Sequence, residues 1–188
     1  AHQFDIVRLL AGGPVSEVYA SIGRWDKDRD TEISYQAMIK FTNGAVAQCT
    51  YSGFGRFDSD ELLDWVGETG YDKDQNDYGK SRRALAELTR DEEVSAKRGR
   101  TFGASELLGI APNHEHFGPL IIQCEYADIK VGPREISVYK NFEKEVIAVP
   151  LVTSPREPVF GALYDAVRSG TQPIQSGHWC LGTLEVCH

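Results

Sequence analysis

Basic side chains are scarce in this 188-residue chain. Its 20 Lys and Arg stand against 28 Asp and Glu, for a net charge of −8. A nucleic-acid binder needs a basic face to neutralise phosphates, so this balance argues against one. Long apolar runs are missing too. The mean hydropathy is −0.36, and no stretch approaches the ~20 apolar residues of a membrane span. The opening AHQFDIVRLL lacks the basic region and long apolar stretch of a signal peptide. Cysteine is sparse: Cys49, Cys124, Cys180 and Cys187, none in a CxxC pair. A zinc site is therefore not expected, and buried free thiols in a reducing cytoplasm are the plain reading. Also absent are a GxSxG elbow, a Walker loop and a GxGxxG fingerprint.

What is present is one domain's worth of core-forming sequence. Hydrophobic residues make up 41%, and a chain of this length buries roughly 70% of its unfolded surface without metal or disulfide staples. Phe4, Val7 and Leu10, with Ile6, form a helical stripe that Gly12-Gly13-Pro14 stops. No capping residue precedes it, and none follows the last apolar stretch before His188, so both ends read as cuts within a larger protein. Val15 to Trp25, Ile33 to Thr42 and Ala45 to Phe54 read as strands. Asn43-Gly44 marks the hairpin between the last two.

Glu61 to Val66 fits either a short helix or a buried strand. Residues 71–116 are densely charged, with helical patterns at Ser81 to Leu88 and Asp91 to Lys97, and read as a helical insertion. Pro119 to Ala127 reads as a well-buried strand; Glu135 to Tyr139 and Glu145 to Val149 follow. Val159 to Ser169 is an amphipathic helix, and Ser176 can cap a final one. The fold class expected is α+β: one open, mainly antiparallel sheet with helices on one face, in a single domain spanning 1–188.

Several charged motifs tempt a chemical reading. Asp72-Lys-Asp74-Gln-Asn76 and Asp26-Lys-Asp28-Arg-Asp30 place oxygens at positions 1, 3 and 5 of a calcium loop. Both lack the Gly at 6 and the Glu at 12, so solvated loops are the better reading. His114-Glu-His116 has no third ligand nearby, and no metal is assigned to it. His2 and Asp5 lie one helical turn apart, which alone says little.

In sequence order, these pieces resemble a known family. His2-Gln-Phe-Asp5 with the following Ile-Val-Arg-Leu-Leu-Ala-Gly-Gly13 resembles the second half of the D-x-G-x-H-x-x-D motif of the Gfo/Idh/MocA oxidoreductases, where it opens the C-terminal, substrate-binding domain. Val15 to Ala20, Phe41-Thr-Asn-Gly-Ala45 and Trp65-Val-Gly67-Glu-Thr-Gly70 resemble the strand, the hairpin, and the strand and turn that follow it, which implies strand for Glu61 to Val66. Phe117 to Glu125, the helix Val159 to Gly170 and Ser176 to Val186 resemble the branch that includes phthalate 4,5-cis-dihydrodiol dehydrogenases.

The resemblance implies a two-domain, NAD- or NADP-dependent dehydrogenase. Its N-terminal dinucleotide-binding domain is absent from this chain, as is the family's E-K-P segment with its lysine; Glu143-Lys-Glu145 is not that motif. It implies that His2 is the catalytic imidazole, moving the substrate hydroxyl proton, and that Asp5 orients or caps. Arg56 and His116 are expected to hold the carboxylates of a small-molecule substrate. The resemblance also implies a homodimer through the exposed sheet face, and an isolated chain without dehydrogenase activity. The competing expectation is a non-catalytic α+β binding or dimerisation module.

Overall fold

The computed structural model describes residues 1–25, 27, 33–99, 109–151 and 156–188. The calcium-like run at Asp26 to Asp30 lies almost wholly outside the described residues. The chain forms two compact units, Ala1–Gly55 with Pro155–His188, and Arg56–Ser154.

The first unit is a three-stranded antiparallel meander, β1 (Val15–Gly23), β2 (Ser34–Phe41) and β3 (Val46–Ser52), in the order β1-β2-β3. Strand β2 is central and alternates strictly. Ala37, Ile39 and Phe41 are buried, and Gln36, Met38 and Lys40 turn the other way. The register places Ala20 and Cys49 opposite Ala37, and Val18 and Ala47 opposite Ile39, so one face of the meander is continuously apolar.

Helix α1 (His2–Ala11) covers that face with the stripe Phe4, Val7 and Ala11. Phe4 tilts against Tyr35 at a ring separation of 5.3 Å. The Tyr35 hydroxyl donates to Gln3 Oε1 at 2.8 Å. Burial pushes the ionisation of Tyr35 up, and burial likewise keeps the Cys49 thiol protonated further into alkali.

Helix α1 ends where its sequence says it should. Gly12 adopts the left-handed conformation (φ 69°), and its N–H bonds back to the Arg8 carbonyl at 3.2 Å. The Asn43 side chain donates to the Ala11 carbonyl at 2.7 Å, tying the helix to the β2–β3 turn. That turn differs from a two-residue Asn-Gly hairpin. Phe41 pairs with Ala45, and the Gly44 N–H bonds to the Phe41 carbonyl at 3.0 Å. Only Gly44 has positive φ (89°). This is a three-residue loop with glycine in the left-handed position.

The second unit begins with a 3-10 helix, Ser59–Leu63, where strand was preferred for Glu61 to Val66. The reason is a cap. The Asp58 carboxylate accepts from the Asp60 N–H at 3.1 Å and nucleates the turn. Asp64 and Trp65 then take left-handed φ values of 56° and 59° and end it, before Val66 bridges to Asp72. Helices α2 (Lys80–Ala86) and α3 (Arg90–Gly99) follow in the charged stretch.

A second antiparallel ladder is formed by β4 (Leu120–Gln123), β5 (Asp128–Val131), β6 (Glu135–Tyr139) and β7 (Lys144–Ala148), in sequence order. The α+β class and open antiparallel sheets are as expected. Among the described residues the strands run in two ladders, of three and four strands, where one was anticipated. Strand β4 is an edge strand, with Ile121 67% exposed, so its apolar run does not signal full burial. On one face of this ladder Leu120, Ile122, Ile129, Val131, Ile136 and Val138 are half-buried and adjacent.

The first unit is completed by α4 (Glu157–Ser169) and α5 (Gly177–Cys187). The Ser176 hydroxyl caps α5 by accepting from the Trp179 N–H at 3.2 Å. Val186 of α5 joins Phe4 in the core. Among the described residues no helix is long and apolar enough to cross a membrane.

Ile39 is 0% exposed at the centre of this core, whereas Ile22, on the same face at the far end of β1, is 67% exposed. Ile39→Ala is expected to cost about 3 kcal/mol, and Ile22→Ala under about 0.5 kcal/mol. Urea unfolding of the two variants checks this; equal losses would contradict the placement of the core.

Candidate functional site

His2 opens α1 and is exposed. One turn on, Asp5 is engaged by α5. Its Oδ1 accepts from the Trp179 indole Nε1–H at 2.7 Å and from the Thr183 hydroxyl at 2.6 Å. A further turn along, Arg8 donates to the Trp179 carbonyl at 2.9 Å and to the Thr183 hydroxyl. Its guanidinium carbon lies 4.3 Å over the Trp179 ring, a cation–π arrangement. The Arg8 side chain is only 11% exposed, so these bonds form where water competes poorly. Thr183, itself buried, accepts from Arg8 and donates to Asp5 at once.

Asp5 is thus the shared acceptor of a polar clasp between α1 and α5. Sequence reasoning named Asp5 but missed Arg8, Trp179 and Thr183. Their signal was present as i, i+3 and i+4 spacings on two helices, but pairing helices 170 residues apart needs the fold.

Beside this clasp, Leu9, Pro14, Val18, Ile174, Trp179 and Leu181 line an open groove of about 840 Å³ within the first unit.

Arg56 and His116 belong to the second unit. Arg56 is exposed, and its carbonyl accepts from the Tyr78 hydroxyl and from Arg82, each at 3.1 Å. His116 has both ring nitrogens in use. Nε2 faces the Val66 carbonyl at 2.8 Å, and Nδ1 accepts from the Gly118 N–H at 3.1 Å. A carbonyl can only accept, so this pairing fits the neutral ring with its proton on Nε2. The ring therefore fastens the loop before β4 to the 3-10 turn. His114 Nε2 faces the Val149 carbonyl at 3.2 Å, so the His-x-His pair is divided between two carbonyls and does not converge on one point.

Next to His116 lies an acidic pair bridged by one cation. Lys73 Nζ donates to Asp58 Oδ2 and Asp60 Oδ2, both at 2.7 Å, and Asp60 Oδ1 is 4.0 Å from His116 Nε2. Partial burial pushes the Asp58 carboxyl up. The bonds from Lys73 and the Asp60 N–H outweigh that and leave it below the usual carboxylate range. Burial lowers the Lys73 ammonium, and its two aspartates more than restore it, for a net rise.

Nothing in the described residues resembles a cradle for a dinucleotide, since no glycine-rich loop opens a helix here.

Comparison with known proteins accords with this architecture. Residues 1–71 match the family described as the GFO/IDH/MocA C-terminal domain. The chain is 39% identical over 192 residues to the 1-carboxy-3-chloro-3,4-dihydroxycyclo hexa-1,5-diene dehydrogenase of Comamonas testosteroni, an alignment taking in 100% of this chain and 48% of that protein. A solved structure assigned as a dehydrogenase from Bordetella bronchiseptica RB50 superposes with a TM-score of 0.85 at 31% identity, over 99% of this chain and 49% of that one. The chain therefore has the fold of a GFO/IDH/MocA C-terminal domain and is related to dehydrogenases. It spans about half the length of the curated relative it matches.

The Asp58–Lys73 pairing makes the stability of the second unit sensitive to acid. The folded Asp58 ionises below its unfolded value of about 3.9. Its contribution is thus complete above that value and is lost as pH falls through the lower, folded value. The pair is open to solvent, so the effect is a fraction of ~1 kcal/mol. Urea unfolding between pH 2.5 and pH 7 should show this acid limb flattened in Asp58→Asn, and an unchanged limb would refute the pairing.

Proposed function

We propose that this chain is the substrate-binding and dimerisation half of an NAD(P)-dependent dehydrogenase that oxidises a carboxylated cyclic dihydrodiol. His2 is the group that takes the hydroxyl proton. Residues 1–188 act in this reading as one functional domain. The observation that carries the proposal is the placement of His2 at the exposed opening of α1, a helix locked by the Asp5 clasp, in a chain related over its whole length to a dihydroxycyclohexadiene dehydrogenase.

The chemistry follows from the residues. Oxidising a secondary alcohol requires a base for the O–H proton, and imidazole is the side chain whose ordinary ionisation lies nearest neutrality. The hydride acceptor in this reading is a nicotinamide, and among the described residues no glycine-rich loop opens a helix to cradle its phosphates. The substrate carboxylate needs a cation. Arg56 fits, with an exposed side chain on a backbone pinned by Tyr78 and Arg82. The His116 ring is engaged by the Val66 carbonyl and the Gly118 N–H, and its part is to hold the loop before β4.

The name of the Comamonas testosteroni relative supports a carboxylated dihydroxycyclohexadiene as the substrate class. A phthalate-derived 4,5-cis-dihydrodiol is a second member of that class, and the two should be assayed side by side. In the full-length enzyme with NAD⁺ or NADP⁺, His2→Ala is expected to lower kcat about 10²–10⁴-fold. Turnover unchanged by that substitution would discard His2 as the proton acceptor.

The half-buried aliphatic face of Leu120, Ile122, Ile129, Val131, Ile136 and Val138 supports pairing with a second copy, since an open antiparallel sheet needs one face covered. Light scattering should find a dimer that Ile129→Lys converts to monomers. A monomeric wild type, or a dimeric variant, would reject this face as the interface.

A further inference from the structure

We propose that Thr183 and Trp179 of α5 are positioning residues for the His2 imidazole: by drawing the Asp5 carboxylate onto α5 they fix the rotation of α1 about its own axis and so the place of its first-turn ring. The proposal rests on the reading of His2 as the proton acceptor. It goes beyond that reading in assigning the control of His2 to a different helix.

The argument is geometric. An α-helix of this length turns as a rigid rod, so a constraint on one turn is felt by the next. The core contact of α1, through Phe4, Val7 and Ala11, is apolar and non-directional, and the Tyr35–Gln3 and Asn43–Ala11 hydrogen bonds each hold the helix by a single bond. The Asp5 clasp uses several. Two donors converge on one oxygen, at 2.7 Å from the Trp179 indole and 2.6 Å from the Thr183 hydroxyl. Arg8 closes the ring from the following turn, on the Trp179 carbonyl at 2.9 Å and on the same Thr183 hydroxyl.

At a side-chain radius of about 5–6 Å, releasing a rotation of about 20° would carry the His2 ring through about 2 Å. A displacement of about 1 Å can cost proton transfer about 10²-fold.

Two features indicate that the arrangement is specific. Thr183 is buried at 6% exposure, and its hydroxyl serves as acceptor and donor together, which no apolar isostere can do. Gly182 leaves the room the clasp requires, because a Cβ there would fall 3.0 Å from the Arg8 Cζ.

The test compares Thr183→Val, which keeps shape and loses the hydroxyl, with Thr183→Ser, which keeps the hydroxyl. In the 188-residue chain, labelled imidazole resonances report each ring separately. His2 is expected to shift in Thr183→Val and to return in Thr183→Ser, while His114 and His116 of the second unit stay fixed. In the full-length enzyme Thr183→Val should lower kcat about tenfold or more, with KM within about twofold, and Thr183→Ser should restore it. A His2 resonance unmoved in Thr183→Val, a kcat equal to wild type, or a loss that Thr183→Ser does not restore would each overturn the proposal. A separate outcome, full turnover in His2→Ala, would instead remove the assignment of His2 and leave the resonance result to judge the clasp by itself.

Discussion

A three-stranded meander cannot bury its own apolar face, and the first unit is organised around that constraint. Strand β2 supplies Ala37, Ile39 and Phe41 in strict alternation, and the register with β1 and β3 extends the face on both sides. Something must cover it, and α1 does so with Phe4, Val7 and Ala11. Fully burying one such side chain stabilises by roughly 1.5–3 kcal/mol, several times what the exposed Lys40–Glu17 pair can add. Burial therefore sets where α1 lies, and the polar groups decide its angle and its ends.

That division of labour explains why polar residues recur at the margins of the helix. Asn43 closes its C-terminal carbonyls, Asp5 and Arg8 hold its flank to α5, and Gln3 receives the Tyr35 hydroxyl. The buried Thr183 hydroxyl among them would be unsatisfied without its partners. The candidate proton acceptor is exposed in the first turn of α1. A first-turn residue combines a fixed backbone with an accessible side chain, which is what a group that must meet a substrate needs.

Much of this was legible in the sequence because it is local. The β2 alternation, the Gly12 stop and the Ser176 cap are written within a few residues of where they act, and the structure places all three as read. The illegible parts are those where a short-range competitor won. At Glu61 to Val66 four large apolar residues fit helix or strand alike and the family resemblance favoured strand, but the Asp58 cap diverted the chain into a 3-10 turn and left Leu62 52% exposed. Strand β5, Asp128–Val131, escaped notice because only Ile129 and Val131 alternate in it, too short a pattern to separate from a loop. The distribution of strands over two ladders depends on hydrogen bonds between distant segments, which no local pattern encodes.

The candidate site divides in the same way. His2 and Asp5 were marked by their resemblance to a family motif, while the partners of Asp5 come from residues more than 170 positions away. His116 illustrates the converse. A histidine just before an apolar strand invites a ligand-binding role, yet its ring is fixed by a backbone carbonyl on one nitrogen and a backbone N–H on the other. Imidazole is the side chain that can donate and accept on opposite edges while neutral, so it can bridge two backbone segments as well as serve a substrate. Which of these a given histidine does depends on whether its nitrogens are already engaged by the backbone, and that is decided by tertiary contacts. For this chain the same residue type performs structural fastening in the second unit and, on the reading argued above, proton transfer in the first.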